Sequence, residues 1–141
     1  MRSAVMLATV LTVMTGVGPS YAMSNYKWKY RPLLVFAERE RNSSLVEQRQ
    51  ILATSRAGLA ERDVVVIWVI GNKASAELGP APLMTVAALR SRYGVAINAF
   101  RAVLVGKDGG EKLSSTKPLG TASLFAAIDA MPMRRDEMRR Q

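Results

Sequence analysis

The chain contains no cysteine and no histidine in 141 residues. Without cysteine there can be no disulfide, no thiol–disulfide exchange, no Cys-dependent peroxidase or glutathione-conjugating chemistry, and no lipid attached at a lipobox. Without histidine there are no Ser-His-Asp triads, Cys-His pairs, His-ligated haem or usual zinc sites. Aromatic residues make up 6% of the chain, too few to suggest a platform on which single-stranded nucleic acid would stack. After the first 22 residues no apolar run is long enough to cross a bilayer.

The first 22 residues have the pattern of a secretory signal. Arg2 gives a positive start, Ala4 to Val17 is nearly unbroken apolar sequence, and Ser20 and Ala22 stand where a signal peptidase needs small residues. A buried N-terminal helix is the competing reading, but a short apolar run followed by Pro19 and a cleavage-type sequence fits it less well. Cleavage is predicted after Ala22, leaving residues 23–141 as one periplasmic or secreted domain. No twin-Arg pair precedes the apolar run, so export in the unfolded state is expected. A domain of this size buries roughly two-thirds of the surface of its unfolded chain, enough for a core without staples. The formal charge is +9, or +8 once Arg2 leaves, which favours anionic partners in the envelope; nucleic acid is not expected as one.

Along the domain, Leu33 to Ala37 is a short apolar run after Pro32, the pattern of a buried strand. A helix follows, with Ser44 and Glu47 at capping-box spacing and an end near Gly58. Val64 to Ile70 is β-branched and apolar on both faces, which predicts a central strand. Asn72 to Pro82 reads as loop, and Leu83 to Tyr93 as a helix stopped by Gly94. Arg101 to Val105 and Glu111 to Leu113 form a hairpin about the Lys107-Asp108-Gly109-Gly110 turn. Thr121 is the expected N-cap of a last helix, Pro132 interrupts it, and the residues after about 135 read as a charged tail free to be disordered.

The resulting order, β-α-β-α-β-β-α with a central mixed sheet of about four strands, is that of the thioredoxin fold. In that fold a reactive thiol stands after the first strand, where a helix N-terminus lowers its pKa. Here Ala37 to Ser44 occupy that place without a cysteine, and Ile97 to Phe100 precede the third strand without the usual proline. Acidic residues are scattered, and the Lys107–Gly110 turn is explained as a hairpin rather than a metal loop. Ser43-Ser44 and Ser114-Ser115 have no base beside them in sequence, and Gly71-Asn72 is too sparse for a phosphate loop. No cofactor or metal is expected.

Four segments together resemble a known family: Trp28 to Phe36, Glu61 to Val65, Val105 to Gly110 with Lys112, and Ile128 to Arg135 with Glu137-Met138. They are similar to the bacterial P-DUDES domain, a thioredoxin-like domain of exported proteins. A similar domain occurs in secreted animal matrix proteins of the DRO/URB/equarin and sushi-repeat type. The resemblance implies the fold and no agreed activity; the animal members suggest adhesion or matrix interaction.

The strand directions place these motifs together. Trp28 to Arg31, Glu61 to Asp63, the Lys107–Gly109 turn and Met131 to Arg135 all fall at the pole opposite the lost thiol position. Asp108, Glu61, Asp63 or Asp129 is expected to pair there with Arg31, Arg62, Arg134 or Arg135, with Trp28, Met131 or Met133 covering the apolar part. The candidate binding residues are Arg31, Arg62, Lys107, Asp108, Arg134 and Arg135. Two readings of this pole stay open: a charged clasp locking the last helix to the hairpin, or a pocket for an anion or protein. The expected function is a non-redox, non-enzymatic interaction or accessory module with an unknown protein or anionic envelope component as partner. The alternatives are an enzyme of unrecognised non-thiol chemistry and a binder of anionic envelope polymers through Arg groups.

Overall fold

The structure, a computed structural model, describes residues 23–141; the predicted signal lies outside them. Ten elements follow in order: β1 (Arg31–Ala37), α1 (Ser43–Ala53), α2 (Arg56–Glu61), β2 (Val64–Ile70), β3 (Lys73–Glu77), α3 (Val86–Tyr93), β4 (Arg101–Val105), β5 (Glu111–Ser115), α4 (Thr121–Asp129) and α5 (Pro132–Arg139). The strands form one mixed sheet in the order β3-β2-β1-β4-β5. β1 and β2 run parallel, and β4 runs antiparallel to β1. Four of the strands thus have the arrangement expected for a thioredoxin-like α/β fold, and a fifth extends one edge.

β1 and β2 are apolar at every position because both faces of the sheet are covered. Leu33, Val35, Val64, Val66 and Leu104 pack on one side with Leu45, Leu52, Leu59, Leu124 and Ile128 from α1, α2 and α4. Leu34, Phe36, Val65, Ile67 and Val103 pack on the other with Leu89 of α3 and with Met23 and Tyr26 of the N-terminal turn. Buried Gln48 ties α1 to the approach of α4: its Oε1 accepts from Leu119 N–H at 2.7 Å and its Nε2 donates to Leu119 C=O at 3.0 Å.

Several local expectations are corrected. Asn42, not Ser44, caps α1, its side chain accepting from Leu45 N–H. The helix does not run on to Gly58; it breaks after Ala53, and Gly58 lies inside α2. A Cβ there would stand 2.6 Å from the Phe125 ring, so the missing side chain is what lets α4 pack onto α2. α3 begins at Val86, with Thr85 as its cap, and ends as expected at Gly94, whose φ of 64° is cheap for glycine. Gly120 rather than Thr121 caps α4, and the Thr121 hydroxyl bonds that of Ser55 at 2.7 Å. Lys73–Glu77, read as loop, is an edge strand on β2. The charged segment after Pro132 is helical as far as Arg139, and Pro132 starts this helix as well as ending the run of α4. It occupies the first turn of α5, where its missing N–H costs no bond.

Candidate functional site

The first two strands start at the same end of the sheet, called the base here. β4 ends there, the 106–110 turn lies there, and α4 descends to it. α5 follows α4 directly and is held at this end by ion pairs of Glu137 with Arg31 and Lys107 and of Arg134 with Glu61 and Asp129.

Three cations with almost no exposed surface meet at the base: Arg31, Arg134 and Lys107. Glu137 of α5 lies among them. Its Oε1 accepts from Arg31 Nη2 at 3.0 Å and from Lys107 Nζ at 2.6 Å; its Oε2 accepts from Arg31 Nη1 at 3.2 Å and stands 3.6 Å from Arg134 Nη1. Burial pushes the Glu137 carboxyl up, but the hydrogen bonds from Arg31 and Lys107 outweigh it and hold the pKa down at about 2. Lys107 Nζ also donates to Asp63 Oδ2 at 2.7 Å. Asp63 has φ 53°, a left-handed conformation that Asp tolerates better than most residues, and its C=O accepts from Arg31 N–H.

A second group continues the network. Arg62 grips Asp129 with two parallel bonds of 3.0 Å, and its guanidinium lies 3.9 Å above the Phe125 ring. Arg134 joins Asp129 Oδ1 and Glu61 Oε1, each at 3.2 Å. The Arg62 bond draws the Asp129 carboxyl below its usual range. Burial alone would lower the Arg134 pKa, but its bonds to Asp129 and Glu61 raise it.

Four cations therefore face four carboxylates: Arg31, Arg62, Lys107 and Arg134 against Glu61, Asp63, Asp129 and Glu137. The charges cancel, and the network links α2, the 106–110 turn, α4 and α5. Its geometry is that of a clasp.

Of the six candidate residues, Arg31, Arg62, Lys107 and Arg134 lie in this network. Asp108 does not pair with an arginine. It takes Lys112 Nζ at 2.8 Å and Gly110 N–H at 2.9 Å, because a turn carboxylate reaches its own hairpin first. The Lys112 bond lowers its pKa. Arg135 is exposed and forms no ion pair within 4.0 Å among the described residues, since it points off the face of α5 that carries Arg134. Trp28 is 59% exposed and is not part of the core; its N–H is bonded to Lys107 C=O and Lys27 Nζ lies 5.1 Å from its ring. Glu137, the centre of the network, was absent from the sequence-derived set. Its signals were the i, i+3 spacing to Arg134 and its place in the last segment of the family resemblance.

Beside the clasp is a cavity of about 370 Å³, lined by Arg31, Lys107, Asp108 and Lys112 and by apolar groups that include Met131 and Met133. The opposite pole is built differently. Arg90 is buried there without a carboxylate. Its guanidinium donates to the C=O groups of Ala37 at 3.0 Å, Gly71 at 3.2 Å and Ala96 at 3.2 Å, and burial lowers its pKa. Among the described residues no three acidic groups lie close enough to hold a metal ion, and no helix is long and apolar enough to span a membrane.

The chain is similar to zebrafish (Danio rerio) coiled-coil domain-containing protein 80, at 24% identity over 133 residues. The match covers 82% of this chain and 15% of that protein, so the chain corresponds to a small part of it. No solved structure matches. The family model described as "Domain of unknown function (DUF4174)" matches residues 22–137, and the chain belongs to that family.

Proposed function

We propose that this is an exported, thiol-independent binding or accessory module of the P-DUDES type, which makes its contacts through the base of the sheet. The observation that carries the reading is the cavity beside the clasp, walled by three cations and by Met131 and Met133. The lack of cysteine at the thioredoxin thiol position supports a role other than redox exchange. So does Arg90, which fills the ends of β1 and β2 with bonds to backbone carbonyls. The partial match to a much longer animal protein agrees with a domain that serves as one module among others.

Exposed Trp28 and Met138 border this end of the molecule, and Ile97 is exposed near the start of β4 at the other. The test places a photo-crosslinking residue at Trp28, Met138 or Ile97 in the secreted chain. The expected result is a mature N-terminus at Met23 and a discrete adduct from Trp28 or Met138 but not from Ile97. An unprocessed, retained chain, or adducts no more frequent at the base than at Ile97, contradicts the reading.

A further inference from the structure

We infer that the outer edge of β3 is a self-association surface: a second copy of this chain pairs with it antiparallel, about a two-fold axis at Ser75, and continues the sheet. The inference goes beyond the proposed function, because β3 lies at the opposite edge of the sheet from β5, whose Lys112 lines the basal cavity.

The edge is open. β3 stands first in the sheet, and β2 is its one partner strand among the described residues. Lys73, Ala74, Ser75 and Glu77 are exposed. Ile70 and Lys73 close the hairpin across Gly71-Asn72, so Lys73, Ser75 and Glu77 turn their backbone groups to β2, while Ala74 and Ala76 turn theirs outward. The chain then leaves the edge. Leu78 takes a left-handed φ of 65°, and the residues after it are tied to the N-terminal turn: Pro80 C=O accepts from Tyr26 Oη at 2.8 Å and Ala81 C=O from Asn25 Nδ2 at 3.2 Å.

An open edge offers its backbone to many strands; the residues select a copy of the same one. Lys-Ala-Ser-Ala-Glu is complementary in charge to its own reverse. Paired antiparallel about Ser75, it sets Ala74 opposite Ala76 and Lys73 opposite Glu77, each twice by symmetry. Lys73, Ser75 and Glu77 share the face of Trp68, which stands in register with Ser75, so the opposed charges meet on one side of the continued sheet. Lysine on an edge strand ordinarily deters pairing. Here a parallel, in-register pair sets Lys73 against Lys73, and a slip of two residues sets it against Ser75, so charge favours one alignment. Lys73 forms no ion pair among the described residues, and Glu77 is met by Arg56 at 3.5 Å with both side chains about half exposed. Beside β3 on the Trp68 face, cavities of about 490 and 210 Å³ leave room for incoming side chains. The other edge lacks this match. β5 against itself sets Glu111 opposite Ser115 and Lys112 opposite Ser114, and its ladder to β4 shifts register between Leu104 and Val105.

The experiment follows the purified secreted chain by sedimentation equilibrium up to millimolar concentration, with the variants Lys73→Glu, Glu77→Lys and Ala74→Pro. Proline at position 74 removes an outward N–H and no bond to β2. The expected result is a reversible monomer–dimer equilibrium. Each charge reversal alone weakens it at least about tenfold, and an equimolar mixture of the two restores it, because each reversed charge then meets an opposite one. Ala74→Pro abolishes the dimer with Tm unchanged.

A chain that stays monomeric at every concentration, a dimer indifferent to Ala74→Pro, or a mixture no tighter than the single variants each overturns the inference. So does growth beyond the dimer, which marks head-to-tail pairing of β3 on β5. Basal crosslinks from a chain that stays monomeric overturn this inference only, and a dimer without basal crosslinks overturns the proposed function only.

Discussion

The two ends of the sheet bury arginine in opposite ways. At the base, Arg31 and Arg134 are neutralised by carboxylates from α2, α4 and α5. At the other end, Arg90 has only the carbonyls of Ala37, Gly71 and Ala96. Both arrangements bond the guanidinium Nη groups and leave Nε of Arg31 and of Arg90 without an acceptor, but they differ in what they fasten and in how they respond to pH. Carbonyls do not titrate, so the Arg90 end is locked by geometry alone. The base is locked by charge, and it holds down a helix with little apolar surface of its own: the one fully buried residue of α5 is Arg134.

The largest effect that would sharpen this contrast is removal of the central carboxylate. Glu137→Ala leaves Arg31 and Lys107 short of a counter-charge in a dry site, and we expect a loss of about 3–5 kcal/mol. It would be read by urea unfolding as a lower midpoint, and by thermal unfolding as a fall in Tm of more than about 10 °C. A shift of a degree or two would mean that the network is decorative. Next is Arg90→Met, which leaves three carbonyls short of a donor and should cost about 2–3 kcal/mol. If it costs as much as Glu137→Ala, the distinction between the ends disappears.

The third effect is pH. Glu137 is held below its unfolded value, so its contribution is fully present above a pH of about 4.5 and is lost as the pH falls through about 2. We expect roughly 2 kcal/mol to disappear over that window, allowing for solvent screening. Glu137→Ala should flatten this part of the stability curve, and Arg90→Met should leave its slope unchanged. The smallest effect is Arg135→Ala, an exposed residue without an ion pair among the described residues, which should change stability by less than about 0.5 kcal/mol. A large loss there would place Arg135 in the clasp.

The same contrast explains what could be read from the sequence. β1, β2 and β4 were legible because the fold covers both sides of the sheet, and that demands continuous apolar runs such as Val64 to Ile70. The convergence of Arg31, Arg62, Lys107 and Arg134 followed from strand direction alone. β3 was not legible. Lys-Ala-Ser-Ala-Glu is exposed at four of five positions and becomes a strand only because the outer edge of β2 offers it backbone partners. α5 was missed for a related reason. Its burial comes from ion pairs rather than an apolar stripe, and Pro132 reads as a stop unless it is recognised as a helix opener. Glu137 was lost with it. Asn42 and Ser44 are both good caps, and the choice between them depended on where the loop after β1 turned, which no local pattern fixes.

The most direct test of the clasp is native-state hydrogen exchange of the α5 amides from Arg135 to Arg139 at neutral pH. If the charge network fastens this helix to the base, those amides exchange only through global unfolding, and Glu137→Ala releases them while the β1 and β2 amides stay protected. Exchange of the α5 amides at the rate of an unstructured peptide in the unmodified protein would contradict it.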